Sequence, residues 1–306
     1  MTSSSPSLRR IDPLQPGAVP VVPTLSSAGI LAALRLVREG VVYDLARVRF
    51  PGMPLPVMHP QLVVLPYRTP HGLRSEPSSV WPSGEANTVD VTFTSDVVTA
   101  SMHTGAHIDA AGHVAVGTPA SWYGGDELTG LGDFGLLASD GSQLTPMVSR
   151  GVLIDVAAYR NEDVLPKGYG ITREDLEQTL RSEGVSLSAG DVVLLRTGYG
   201  RVWPHRDLIE QHSGSGITLE AAEWLIAQGI AGIGADTEGI EQLPSAVPGN
   251  PHPVHTALLR ERGMPMIEML ALEQLAEDRR YEFLLIVAPV KIRGASAAMV
   301  DPIAIV

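Results

Sequence analysis

The sequence predicts an α/β protein with a mixed central β-structure flanked by helices, and three observations carry that expectation. Through the second half of the chain, short apolar runs bounded by glycine alternate with amphipathic stretches of helix length, as strand–helix units do. The run Val192-Val193-Leu194-Leu195 is apolar without alternation, the pattern of a strand covered on both faces. A polar cluster from His103 to His113 follows directly on an alternating stretch, which places chemistry at a strand end.

Composition narrows the class. At 306 residues, 44% hydrophobic and 18% charged, the chain has enough apolar material for one large core. The net charge is -12, and Lys167 and Lys291 are the lysines, so there is no basic surface for phosphates and nucleic acid is not an expected partner. Cysteine is absent, which excludes disulfides and thiolate chemistry and leaves His, Asp and Glu to hold any metal. Residues 1–17 carry serine and proline where a signal peptide has an apolar core, and no later run reaches the length of about 18 apolar residues that a membrane span needs. The expectation is a cytoplasmic protein acting on a small molecule, with no membrane partner.

In chain order, residues 1–24 are rich in Ser and Pro without periodicity and are expected to form a loosely ordered arm, leaving 25–306 as the domain. From Ser26 to Arg38 apolar residues recur at helical spacing behind a serine cap, and Val41 to Leu45 reads as a strand. Prolines and glycines are dense from Arg49 to Asn87, so this stretch is expected to be an irregular lid or pocket wall, with Tyr67, His71 and Trp81 as candidate lining residues. Thr88 to Met102 alternates like a half-exposed strand. Gly151 to Val156 is a second strand, and Thr172 with Asp175 forms a capping box that opens a helix. The run 192–198 is the buried strand. Helix 218–228, strand 230–235, helix 255–262, strand 264–270, helix 271–280 and strand 281–292 follow.

The stretch His103-Thr104-Gly105-Ala106-His107-Ile108-Asp109-Ala110-Ala111-Gly112-His113 gathers three histidines and an aspartate within apolar surroundings. His103, His107 and Asp109 are spaced so that a turn leaving a strand aims two imidazoles and a carboxylate at one point, a donor set for Zn²⁺, Mn²⁺ or Fe²⁺. The alternative is three separately hydrogen-bonded histidines. Other chemistries lack their signatures: no Walker loop is present, Gly198-x-Gly200 and Gly232-x-Gly234 lack a third glycine, and Ser213 to Gly216 does not make a nucleophile elbow. His205 and His212 read as surface residues. A second constellation comprises His252, His255 and Glu268, with Glu268 inside the apolar run 264–270, where a carboxylate is costly unless it is paired or bound to a cation. A salt bridge to Arg262 is the bland account of it. Spacing alone leaves open whether His252 or His255 is the later ligand.

The 103–113 stretch resembles the signature of the metal-dependent cyclase superfamily, which includes bacterial kynurenine formamidases, isatin hydrolase and trans-dienelactone hydrolases. Val42-Tyr43-Asp44-Leu45, 151–156, 190–198, 234–237 and 255–268 fall in the order that family shows, so the resemblance covers residues 40 to 306. It implies a single-domain swivelling β/β/α fold, a homodimer or homotetramer, and hydrolysis of a cyclic or acyl amide, imide or lactone. It also implies His103, His107 and Asp109 as ligands of a first metal, His255 and Glu268 as completing a second, and His113 as the proton carrier. The cofactor implied is Zn²⁺ or Mn²⁺, one ion or two. Ala106 stands where the family usually has Thr. Where many members carry a stacking Trp this chain has Met58 and His59, which become candidate substrate contacts. A cyclase or dehydratase acting on a polyketide-like intermediate, and a non-catalytic metal-binding protein, are the alternative functions.

Overall fold

The computed structural model describes residues 26–76, 87–123, 131–133 and 135–306. The expected arm at 1–24 and Trp81 lie outside the described residues. In chain order the elements are α1 (Ser27–Leu34), β1 (Val42–Asp44), β2 (Val63–Arg68), α2 (Pro70–Ser75), β3 (Ser95–Thr99), β4 (His107–Asp109), β5 (Leu131–Gly132), β6 (Gly135–Leu136) and β7 (Met147–Asp155). Then follow α3 (Val156–Tyr159), β8 (Gly170–Ile171), α4 (Arg173–Glu183), β9 (Val192–Arg196), α5 (Arg206–His212), β10 (Gly216–Ile217), α6 (Leu219–Ala227) and β11 (Gly232–Ala235). The chain ends with α7 (Pro253–His255), β12 (Met266–Glu268), α8 (Glu273–Glu277), β13 (Glu282–Val287), β14 (Ala297–Met299) and β15 (Ile303–Ile305).

A nine-stranded mixed sheet in the order β1-β15-β13-β7-β9-β11-β12-β4-β14 is the centre of the molecule. Strands β7, β9, β11 and β12 run parallel, and β4 lies antiparallel against β12. The apolar run of β9 is explained by burial on both faces. Val192 and Leu194 enter a core with Ile108, Ile267 and Phe283, while Val193 and Leu195 enter a second core with Leu176 and Leu180 of α4 and Leu225 of α6. The capping box at Thr172 and Asp175 forms as its residue types predict, and Gly184 in the left-handed conformation ends α4.

Several sequence expectations change. Residues 49–87 are not structureless: β2 and α2 lie inside this stretch, and β2 pairs antiparallel with β3. Pro66 concealed β2, and the register shift between Pro66 and Arg68 is how a proline is accommodated in a two-stranded ribbon. The strand expected over 88–102 is confined to β3. The helix expected over 255–262 begins two residues earlier at Pro253 and widens into a π-helical turn over Thr256–Arg260. The histidine cluster is not all turn, because β4 lies within it, paired on both sides by β12 and β14 one strand in from the sheet edge. No helix among the described residues is long and apolar enough to cross a membrane.

Candidate metal centre

Parallel strands direct their carboxyl ends to one edge of a sheet, and crevices form there. The residues beyond β9 (Tyr199), beyond β11 (Thr237, Glu238) and at the end of β12 (Glu268, Met269) line one cavity of about 1000 Å³. Because β4 is antiparallel to β12, its first residue, His107, pairs in register with the last, Glu268. His107 and Asp109, two apart on a strand, share a face, and Ile108 between them enters the core. Met269 sits at φ 60°, a left-handed conformation costing about 1–2 kcal/mol, and its N–H is held by Thr237 O at 3.0 Å, so the chain turns immediately after Glu268.

The donor atoms converge. His103 Nδ1 lies 3.0 Å and His107 Nε2 3.6 Å from Asp109 Oδ1, and His113 Nε2 lies 3.8 Å from Asp109 Oδ2. His107 Nε2 is 3.3 Å from Glu268 Oε2, and His255 Nε2 is 3.4 Å from Glu268 Oε1. His103, His107, Asp109, Glu268 and His255 are each at most 8% exposed. Despite these approaches His107 Nε2, both oxygens of Asp109 and Glu268 Oε1 are buried without a hydrogen-bond partner. Such orphans cost about 1–3 kcal/mol apiece, more when charged, unless something else satisfies them. No arginine or lysine pairs with Asp109 or Glu268 among the described residues, and Arg262 pairs with Glu261 at 2.8 Å instead, so the salt-bridge account of Glu268 fails. Two ligand groupings form around Asp109, His103–Asp109–His113 and His107–Asp109–Glu268, each with donor atoms within 4.8 Å of one another. Buried, unpartnered imidazole and carboxylate atoms fit a divalent cation.

Electrostatics point the same way. Burial alone would lower the pKa of His107, but Glu268 and Asp109 beside it outweigh burial and raise it. Burial likewise opposes the charge of His255, and Glu241 and Glu268 overcome it, pushing the pKa up to about 10. Burial would raise the Asp109 carboxyl, yet the imidazoles of His113, His103 and His107 hold it well below the usual range. His113 is lowered, chiefly by burial. Positive charge is thus favoured at His107 and His255, beside the buried carboxylates, and disfavoured at His113.

The backbone of the cluster is held from outside it. Gly105 adopts φ +64°, its carbonyl accepts from His107 Nδ1 at 2.8 Å, and Arg49 packs where a β-carbon would sit. The Arg49 guanidinium donates to Thr104 O at 2.9 Å and to Ala106 O and Val300 O at 2.7 Å each. His107 donates through Nδ1 because a carbonyl only accepts, which aims Nε2 at Asp109 and Glu268. His103 Nε2 lies 2.9 Å from Ser296 Oγ.

Among the candidate substrate contacts, Met58 and His59 line the cavity, and the His59 ring stacks on His103 with centroids 4.9 Å apart. Tyr67 and His71 are not brought there: both are exposed, on β2 and α2, and neither is among the lining residues. Among the described residues, β2 of the Pro-rich stretch pairs with β3 beyond it, and the stretch lines the cavity through Pro56, Met58 and His59. Sequence reasoning missed Arg49, Ser296 and Glu241. The Glu241 carboxylate is 1% exposed and faces His252 and His255, so both histidines left open by spacing lie at the cavity, with His255 nearer Glu268. The only signal for Glu241 was a carboxylate beside the apolar Ile240.

Comparison with known proteins gives the same picture. The family model described as "Putative cyclase" matches residues 43–242. A crystal structure described as a novel cyclase is 28% identical with a TM-score of 0.78, covering 92% of this chain and 93% of that one. Isatin hydrolase A from Labrenzia aggregata is 22% identical with a TM-score of 0.61, covering 91% and 98%. A predicted metal-dependent hydrolase from Bacillus stearothermophilus is 21% identical with a TM-score of 0.54, covering 87% and 98%. Among curated proteins nothing matches. The matched stretch contains the whole His103 to His113 cluster, and with the architecture it fixes the assignment: the chain belongs to the Cyclase family.

Proposed function

We propose that this protein is a metal-dependent hydrolase of a cyclic or acyl amide, an imide or a lactone. The observation that carries the reading is the convergence of buried, unpartnered donor atoms from β4 and β12 at the wall of a large cavity. His103, His107 and Asp109 would hold a first Zn²⁺ or Mn²⁺, and His255 and Glu268 would complete the site for a second. Such an ion, when bound, supplies Lewis acidity toward a carbonyl and makes water acidic enough to ionise near neutral pH. His113 lines the cavity, and its side chain, 26% exposed, is the most open of the residues facing Asp109. In this reading it takes the proton from attacking water and delivers it to the leaving nitrogen or oxygen. The fold shared with isatin hydrolase A supports the hydrolase class.

Tyr199 is the only Trp, Tyr or Phe lining the cavity among the described residues, and the wall otherwise carries Pro56, Met58, Val114, Leu243 and Met269. That surface suits a compact ring held by aliphatic contacts. A homodimer or homotetramer belongs to the same reading. The β2–β3 ribbon exposes Val63, Val64, Leu65, Val97 and Val98, and a two-stranded ribbon with so much exposed apolar surface is a surface for another subunit, testable by light scattering.

The test of function is metal analysis of the purified protein coupled to a hydrolysis screen on cyclic imides, lactones and aryl formamides. Activity is expected to vanish on chelation and return with Zn²⁺ or Mn²⁺. His113→Ala should keep its metal and lose roughly a hundredfold or more in turnover, while Asp109→Asn should lose its metal. Unchanged metal content in Asp109→Asn would sink the site, and metal loss in His113→Ala would make His113 a ligand.

A further inference from the structure

Glu241 lies in the loop between β11 and α7, outside the ligand set and buried behind His252 and His255, which line the cavity. Its backbone is anchored by a parallel bridge to Ile217, so the side chain starts from a fixed point. The two carboxylate oxygens have different partners. Oε2 accepts the backbone N–H of Val254 at 2.9 Å, satisfying one of the free donors at the start of α7. Oε1 accepts from two imidazoles, His252 Nδ1 at 3.1 Å and His255 Nδ1 in a shorter contact. A helix cap needs only the first oxygen, so capping does not account for the second.

A carboxylate only accepts, so His255 must carry its proton on Nδ1, and the bond also fixes the plane of the ring. The remaining nitrogen, Nε2, is thereby presented to Glu268, 3.4 Å from Oε1, the oxygen that has no hydrogen-bond partner. Without Glu241, His255 can rotate about its side-chain bonds or carry its proton on Nε2, and in the second case it cannot donate a lone pair toward Glu268. His252 shares the same oxygen, but its side chain is 49% exposed and does not approach Glu268, so the consequence falls on His255.

We infer that Glu241 is a positioning residue: it holds a proton on His255 Nδ1 and aims Nε2, the nitrogen that a cation would take over from its proton, toward Glu268. The inference rests on the metal-centre reading above. Outer carboxylates of this kind typically change metal affinity by about 10–100-fold when removed.

The test is Zn²⁺ binding by calorimetry to wild type, Glu241→Gln and Glu241→Ala, with thermal unfolding of the same metal-free proteins. Glu241→Gln cannot accept from Val254 N and both imidazoles at once, and it is expected to bind about 10–100-fold more weakly while the metal-free protein still unfolds cooperatively. Wild-type affinity in both variants overturns the inference and leaves the metal reading standing. Failure of the wild type itself to bind Zn²⁺ overturns both. A measurement on wild type guards against misfolded variants. Besides the Nδ1–H that His107 donates to Gly105 O, zinc-loaded protein should show a second downfield, exchange-protected imidazole N–H in a long-range ¹H–¹⁵N spectrum, bonded on Nδ1, retained in His252→Ala and lost in Glu241→Ala. Absence of that signal, or its loss in His252→Ala, refutes the assignment to His255.

Discussion

Arg49→Lys separates a guanidinium fork from a mere positive charge. Arg49 holds three carbonyls, those of Thr104, Ala106 and Val300, at 2.7–2.9 Å, and pairs with Asp301 at 2.7 Å. The Asp301 side chain is 70% exposed, so that ion pair contributes about 0–1 kcal/mol, and lysine keeps it in part. The carbonyl bonds are different. A single ammonium cannot span three acceptors arranged around a planar fork, and two of the three bonds are expected to be lost. Charge-assisted bonds are each worth about 1.5–3 kcal/mol. Ala106 O keeps a second donor in Val300 N at 3.1 Å, which lowers the penalty there. The net loss is about 2–4 kcal/mol. Thr104 and Ala106 flank Gly105, between two proposed ligands, so the substitution should also loosen His103 and His107 and weaken Zn²⁺ binding by roughly tenfold or more. Urea unfolding of the metal-free protein measures the first effect, and calorimetric titration with Zn²⁺ the second. An Arg49→Lys protein within about 0.5 kcal/mol of wild type, with unchanged affinity, would show that the fork does not hold this loop.

Two further substitutions test other parts of the argument. Gly105→Ala places a β-carbon at φ +64° and 3.0 Å from Arg49 Cγ, so a loss of about 1–2 kcal/mol and a lower melting temperature are expected, and an unchanged melting temperature would contradict the left-handed turn. Burial raises the Glu183 carboxyl to about 8 from 4.5, although the N–H of Asp155 donates to it at 2.9 Å. A raised carboxyl pKa means the folded state holds the proton longer, so its contribution is full below about pH 4.5 and is lost as pH rises through about 8. The shift sets an upper limit of about 5 kcal/mol at 1.4 kcal/mol per unit, which water at this partly exposed group reduces to about 2. Glu183→Gln should therefore match wild type in urea at pH 5 and exceed it at pH 9, and a variant less stable than wild type at pH 9 would reverse the sign.

What could be read from the sequence and what could not have physical reasons. The elements that bury an apolar face over several residues, such as the run from Val192 and the helix capped at Thr172, carry their periodicity locally. The His103 to His113 stretch is equally local, because metal ligands spaced along a few residues leave a compositional mark. Glu268 was visible through the cost of a carboxylate inside an apolar run. β4 was not, since three residues are too short for an alternation, and β2 was hidden by Pro66. Arg49 left no mark at all, and Glu241 left only that of a carboxylate beside the apolar Ile240. Arg49 works on backbone carbonyls, which every residue has, and Glu241 works on imidazoles that the fold, not the spacing, brings to it.

The register of one strand pair links the core to the chemistry. Ile108 faces Ile267 across the β4–β12 pair, and both enter the same apolar core, with Ala298 of β14 on the far side. Side chains alternate along a strand, so seating Ile108 in that core sends His107 and Asp109 together to the opposite face and sets His107 opposite Glu268 at the cavity wall. A slip of one residue would exchange these faces, driving two ionisable groups into the core and an isoleucine into the cavity. The correct register is thus selected by burial of isoleucines that never touch substrate, and the burial of the polar donors follows from it. That arrangement explains how buried, unpartnered carboxylates persist: the cost of burying Asp109 and Glu268 is set against hydrophobic contacts one residue away in each strand. The site is strained by its polar atoms and fixed by its apolar ones, and a cation that satisfies the former adds to the stability the latter already enforce.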